Sequence, residues 1–573
     1  MQRMILFGVC MLMLCPMVFA GTRGAKVNKV NPPEALGAVT GELMRVSPSV
    51  YAVGPGDSLG FTLSDYATNG SACHNLINFG DGSLSLGRMM AATSDATDRG
   101  TYYSYSADSG NTWTPLTWIE GTRQGWGNID QFADAGGAEV TVAHTGIQVC
   151  VDAARGANVW SCSPTGVATD FWPRLAVSSP INIHMVHANA NPPTDIWYTR
   201  SQDAGATWDI LDAPVFTPGP SFVPDADAQD IAASGTNVAI VHAPDANDGA
   251  GFSSGADVLL ALSGDNGTTW SEQVLLDNPG PGELTNGAEK YISDGSVACA
   301  YDSEGDLHIV WTNFLGVGDV SNNPGLFYQI DAPVSYWSEA TGIIEIATTV
   351  HDTSIVKPTN LFGNLVTQPD IGIDANNNPY IMYQQQISEQ DTAEVFLQHI
   401  YATGSPDGGF TWREPIDITP GAGFDASYGS MATLVDDYMH LTYFSDPLGG
   451  NAVRLNHAFI EVAVMYHKFD AVTLTTGIRE VPGTTPETFR LEQNYPNPFN
   501  PVTNIRYSLP TGSDISLRVY DVLGQEVALL YNGFQDAGSY VADFDGTNFA
   551  NGTYYYTLTA GDFTETKKML LVK

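Results

Sequence analysis

The residues in this chain with the means to do chemistry are a sparse set of aspartates, arginines and histidines placed in short strand-like runs. Asp130, Asp230 and Asp370 each sit in the segment that opens a repeated unit, where successive units would face a common axis. Two carboxyls held about 5–10 Å apart can act as acid and base, or acid and nucleophile, on a glycosidic bond. The same oxygens suit Ca2+, the one cofactor these residues could hold, although no D-x-D-x-D-G loop is present to demand it. Arg174, in Phe171-Trp172-Pro173-Arg174, offers a bidentate clamp for a carboxylate. Regions around Ser296 and Tyr428 belong to the same series of opening segments.

The histidines read differently. His144, His187 and His242 end strand-like segments where the corresponding segments place Trp311, Tyr383 and Tyr443. A position that takes imidazole, indole and phenol alike fills space. His184, His308 and His440 lie three residues before members of this column and form a second structural column. Equivalent positions on different repeats radiate apart, so neither column predicts a zinc site. H-E-x-x-H and phosphate-loop patterns are missing from the sequence.

The elements that must position these residues are strands. Short alternating runs such as Glu139–Ala143, Ile181–Val186 and Val238–Val241 are divided by Gly, Asp, Asn and Pro clusters, the pattern of an all-β chain. One octapeptide, S-x-D-x-G-x-T-W, recurs four times. Its fixed residues are Ser106, Asp108, Gly110 and Trp113; Ser201, Asp203, Gly205 and Trp208; Ser263, Asp265, Gly267 and Trp270; and Ser405, Asp407, Gly409 and Trp412. Such a motif makes a tight hairpin: the carboxylate accepts backbone N–H groups, glycine takes a left-handed conformation, and Trp packs the turn onto the sheet. The motif resembles the Asp-box, or BNR repeat, of sialidase-like β-propellers, and the resemblance implies architecture rather than catalysis. The histidine–aromatic column and the boxes together predict six or seven blades, with seven preferred, between roughly residues 47 and 472. Val46–Leu63 is expected to supply a strand that closes the ring.

The resemblance also makes a chemical demand. Sialidases hold the substrate carboxylate with three arginines, the first commonly in Arg-Ile-Pro, and use a Tyr–Glu nucleophile and an Asp acid/base. Arg-Ile-Pro does not occur here, Arg200 and Arg413 adjoin boxes, and Arg174 alone is placed on an opening segment. No catalytic residue is therefore carried over.

Residues 1–20, with Arg3, the apolar Ile5–Leu14 and Val18-Phe19-Ala20, read as a secretory signal peptide, and 21–46 as a leader. No later stretch is long and apolar enough to span a membrane as a helix. Export favours disulfides. Cys150 and Cys162 flank a short loop between strand-like runs and are expected to bridge, which leaves Cys73 and Cys299 as a second pair by elimination. Residues 473–488, with Pro482-Gly483-Thr484-Thr485-Pro486, read as a linker. Residues 489–573 follow as a separate unit. Its Asn494-Tyr495-Pro496-Asn497-Pro498-Phe499-Asn500-Pro501, Leu523-Gly524-Gln525-Glu526-Val527 and final Lys567-Lys568-Met569-Leu570-Leu571-Val572-Lys573 resemble the C-terminal sorting domain of type IX secretion cargo. That resemblance implies an Ig-like β-sandwich, engagement of the type IX machinery, and delivery to the cell surface or medium. The alternation in Ser516–Tyr520 and Tyr554–Leu558 fits a sandwich independently.

Asp and Glu number 63 against 23 Lys and Arg, a net charge of −40 that repels phosphate backbones and excludes a general nucleic-acid binder. The reading is an exported propeller that binds glycans or surface macromolecules; the competing reading is an exo-sialidase or other glycoside hydrolase.

Overall fold

The turn-rich, alternating sequence folds as antiparallel sheet almost throughout, and the one helix among the described residues, Ala471–Thr476, is six residues long. The computed structural model describes residues 53–573 except 69–70, 94–95, 133–135, 145, 167–169, 190–195, 217–221, 224–226, 248–252, 278–288, 320–324, 330–332, 347–365, 392–393, 452–456, 458, 477, 481–485, 536, 547–548 and 562. The expected signal peptide and leader lie outside the described residues.

Seven sheets follow one another from Asp57 to Asp470 among the described residues. Their first strands are Leu76–Asn78, Gly125–Phe132, Asp170–Ser178, Gln229–Ser234, Glu289–Tyr301, Val366–Asp374 and Asp425–Met431. Each is followed outward by further antiparallel strands, and the first strands of successive sheets pack side by side. The seventh sheet is completed from the other end of the chain: Asp57–Thr62 pairs antiparallel with Val462–Asp470, in register from Asp57 opposite Tyr466 to Thr62 opposite Val462. Apolar clusters fill the spaces between neighbouring sheets, for example Val140, Val149, Leu175 and Met185 between the second and third. These side chains are removed from water between two packed sheets.

The four boxes are turns between the third and fourth strands of the first, third, fourth and sixth sheets. In each, the Ser hydroxyl donates to the Asp Oδ1 at 2.8–2.9 Å and accepts the glycine N–H. The Asp then accepts the Thr N–H on one oxygen and the Thr hydroxyl on the other. The box glycines have φ between +76° and +98°. Three of them also lie against a tyrosine of the preceding sheet: a Cβ on Gly110, Gly267 or Gly409 would meet the hydroxyl of Tyr466, Tyr198 or Tyr336 within 2.2 Å. Those hydroxyls are each 2.6 Å from the Nδ1 of His440, His184 or His308, and the rings meet Trp113, Trp270 and Trp412 edge-on. The second histidine column is thus a set of braces holding one sheet's tyrosine against the next sheet's box.

Cys150 and Cys162 are bonded across two adjacent strands of the second sheet, S–S 2.04 Å. Cys73 and Cys299 are free and buried, so the second pair expected by elimination does not form. Cys73 sits in the segment that crosses the ring, its Sγ 3.9 Å from the Ala67 carbonyl, while Cys299 packs in the core between the fourth and fifth sheets.

The expected linker is shorter than 473–488. The helix Ala471–Thr476 continues the ring, and Ile478–Glu480 already pairs with Gly538–Asp545. From there two four-stranded sheets enclose one apolar core that includes Ile505, Leu517, Tyr556 and Leu571.

Candidate functional site

The first strands of the first six sheets, with Thr433 and Leu434 just beyond the first strand of the seventh, line a cavity of about 500 Å³. It opens on the face that carries the boxes, whose turns bond to the turns after the first strands, as from Ser109 N to Gly82 O and from Asn266 N to Thr236 O. Its wall combines the apolar Ile77, Ile129, Leu175, Ile231 and Ile373 with the polar Asn78, Asp130, Gln131, Asp302 and Asp374. His74 stands in it beside Asp130.

Asp130, Asp230 and Asp370 occur where the sequence places them, on first strands at the axis, and the structure gives them a common duty. Asp130 Oδ2 accepts Val177 N at 2.7 Å, Asp230 Oδ2 accepts Cys299 N at 2.9 Å, and Asp370 Oδ2 accepts Met431 N at 2.8 Å. Each acceptance reaches the first strand of the next sheet, so the three aspartates are staples around the ring. Burial pushes the Asp130 and Asp370 carboxyls up to about 6 against the pull of those N–H groups. His74 Nε2 lies 3.2 Å from Asp230 Oδ1. Burial alone would lower its pKa, but the charge and contact of Asp230, with Asp370 and Asp130 behind, raise it to about 9. Nothing in the spacing of residues singles out His74, because its role depends on three carboxylates from three distant sheets.

The opposite mouth is closed. After Asp57–Thr62 the chain turns inward, and Ser64, Asp65, Tyr66, Ala67, Thr68, Ser71, Ala72, Cys73 and Asn75 are buried across the opening. Arg174 lies beneath them, fully buried, its Nη2 2.5 Å from Asp227 Oδ1 and 2.7 Å from the Ser71 carbonyl. The other Asp227 oxygen accepts the Thr68 hydroxyl and Trp126 Nε1, each at 2.7 Å. Burial opposes the Arg174 charge, and Asp227 outweighs it to hold the pKa above the usual arginine value. The clamp predicted for a ligand carboxylate therefore holds an internal one.

Register reveals one residue that sequence reasoning missed. Counting four residues on from the residue paired with the box serine leads from Ile183 to His187 and from Val238 to His242. In the first sheet it leads from Leu84 to Arg88. Arg88 is the missing member of the column, fully buried, with Nη2 donating to the Tyr428 carbonyl at 2.7 Å and the guanidinium 4.0 Å above Phe444. Burial lowers its pKa to about 9.

The rim of the closed mouth is strained in a repeating way. Trp126, Trp172, Gln368 and Tyr428 all have φ of +49° to +54° beside a register shift in a first strand. Such bulges re-aim side chains, and here Trp126 and Tyr428 pack on Tyr66 of the closing segment.

On the open face a second cavity of about 500 Å³ lies between the fifth and sixth sheets. It is lined by Asp306, Glu339, Asn376, Asn377, Asn378 and Phe410, and Phe410, inside the fourth box, is 58% exposed. Asp65, Asp446 and His457, near the closed mouth, are the group among the described residues whose Asp and His ligand atoms converge.

Among solved structures the chain is similar to a protein of unknown function from Dyadobacter fermentans, at 13% identity and a TM-score of 0.35, over 72% of this chain and 99% of that one. It is similar to leech intramolecular trans-sialidase at 13% identity and a TM-score of 0.36, over 74% of this chain and 71% of that one. It is similar to the intramolecular trans-sialidase of Ruminococcus gnavus at 12% identity and a TM-score of 0.34, over 74% and 98% respectively. Likenesses this distant say nothing of ligand or reaction. No curated protein matches the chain. Residues 493–573 match the family model of the secretion system C-terminal sorting domain, and the chain is accordingly exported by type IX secretion to the cell surface or the medium.

Proposed function

We propose that the exported chain is a seven-bladed, Asp-box β-propeller that binds glycans or surface macromolecules on its open face, carried there by an Ig-like C-terminal sandwich. The observation that carries this reading is the state of the two mouths. One is sealed, with Arg174 neutralised by Asp227; the other opens on a cavity of mixed apolar and polar lining in which the Asp130 carboxylate holds the neighbouring strand. An exposed aromatic face beside amides and carboxylates is a surface suited to a sugar ring, and Phe410 with Asn376–Asn378 supplies one. A glycan-array screen of the mature chain beside turnover of a fluorogenic sialoside tests it. Retention of a defined glycan set, weakened about tenfold in Phe410→Ala, is expected, with no turnover. Hydrolysis at enzyme-like rates, or no retained glycan, overturns the reading.

A glycoside hydrolase has one observation in its favour: Asp130 and Asp370 share an axis with carboxyls raised to about 6, a range useful to a general acid. Loss of any hydrolysis in Asp130→Asn or Asp370→Asn, with the fold retained, is the result that would favour it.

A further inference from the structure

We propose that Asp65, Asp446 and His457 bind one divalent first-row transition cation of the Zn2+ type, which clips the segment across the closed mouth to the seventh sheet. The three residues come from separate pieces of chain. Asp65 belongs to the closing segment, Asp446 ends the strand Tyr438–Asp446, and His457 lies in the connection to Val462–Asp470. Their ligand atoms all fall within 4.8 Å of one another.

Distances favour coordination over hydrogen bonding. His457 Nε2 is 3.5 Å from Asp65 Oδ2 and 3.5 Å from Asp446 Oδ2. Both separations are too long for good N–H···O bonds, yet they match the edge of a coordination polyhedron. With these separations, a point equidistant from the three atoms lies roughly 1.9–2.4 Å from each, the range of metal–oxygen and metal–nitrogen bonds. The cation would enter without moving the ligands.

A second observation points into the same space. Asp446 is 1% exposed, and its Oδ1 accepts Leu448 N at 2.8 Å, which orients the carboxylate. Its Oδ2 is equally sealed from water, accepts no hydrogen bond, and faces the imidazole. A buried carboxylate oxygen is ordinarily paired or coordinated. Two further buried or half-buried acids of the region already hold backbone: Asp425 accepts Gln398 N, and Asp391 accepts Val395 N and Gly449 N. The imidazole decides the class of metal, because Ca2+ takes six to eight oxygens whereas Zn2+ and its neighbours accept nitrogen.

The test uses the mature chain stripped with a chelator and returned to Zn2+. Expected are one equivalent per chain after gel filtration and a melting midpoint raised by about 4 °C at hundredfold excess over Kd. Co2+ in place of Zn2+ should give visible d–d bands of mixed nitrogen and oxygen ligation. Asp446→Asn and His457→Gln, checked by far-UV circular dichroism, should each reduce the metal to background. Folded wild-type chain without stoichiometric metal, variants that keep a full equivalent, or displacement of Zn2+ by equimolar Ca2+ would each overturn the proposal. Should either variant fail to fold, the Co2+ spectrum of the wild type decides: its bands support the site and their absence removes it.

Discussion

His74 turns the centre of the ring into a pH-dependent element. Its folded pKa of about 9 lies above the usual 6.5, so the stability it contributes is complete below about 6.5 and is lost as pH rises through 9. Thermal unfolding of the wild type should therefore weaken between pH 6.5 and 9 by on the order of 2–3 kcal/mol, and His74→Asn should flatten that slope. An unchanged slope in the variant would remove His74 from the account. Asp130, Asp230 and Asp370 were legible as axis-facing residues because each opens a repeat. Their work as staples was not, since it depends on which backbone N–H the next sheet presents at that height. Arg88 was hidden for a related reason: it occupies a column otherwise filled by rings, and strand register alone identifies it.

The hairpins make a sharper test, because two glycines of the same motif differ in what lies beside them. Gly205 has φ +83° and open surroundings, with Ile183 Cδ1 at 3.4 Å from an added Cβ, whereas Gly267 at φ +78° would press its Cβ to 2.0 Å from the Tyr198 hydroxyl. Gly205→Ala should cost about 1–2 kcal/mol for the left-handed backbone alone. Gly267→Ala should cost more than about 3 kcal/mol, since it also dislodges a tyrosine held by His184; equal shifts of the unfolding midpoint would refute the bracing role. Replacing Cys150 and Cys162 by Ser should lower stability by about 3 kcal/mol, judged from the 12-residue separation, a loss the same denaturation measurement reads. The four full boxes and this bridge could be read from spacing. The second sheet's own turn could not, because there Asp152 accepts Asn158 N and Val159 N over a longer loop that leads to Trp160. That tryptophan meets Tyr103 edge-on, as Trp113, Trp270 and Trp412 meet their tyrosines.

Across the whole molecule, the ring and the sorting domain carry separable roles. Removing residues 489–573 should leave the ring folded but abolish surface display and release, measured by cell fractionation and by the melting of the truncated chain. Order along the chain was readable, down to the closing strand, because boxes and aromatic columns repeat. The sealed mouth was not readable, because Thr68, Ser71, Arg174 and Asp227 meet across more than a hundred and fifty residues of sequence. The sorting domain leaves the ring just after Val462–Asp470, a strand flanked on one side by Tyr438–Asp446 and on the other by Asp57–Thr62. For a protein tethered through its tail, a pull would load that strand lengthwise between two partners. The rungs on either side would then share the tension at once instead of parting singly, so the attachment point is also the place where the wheel best resists shear.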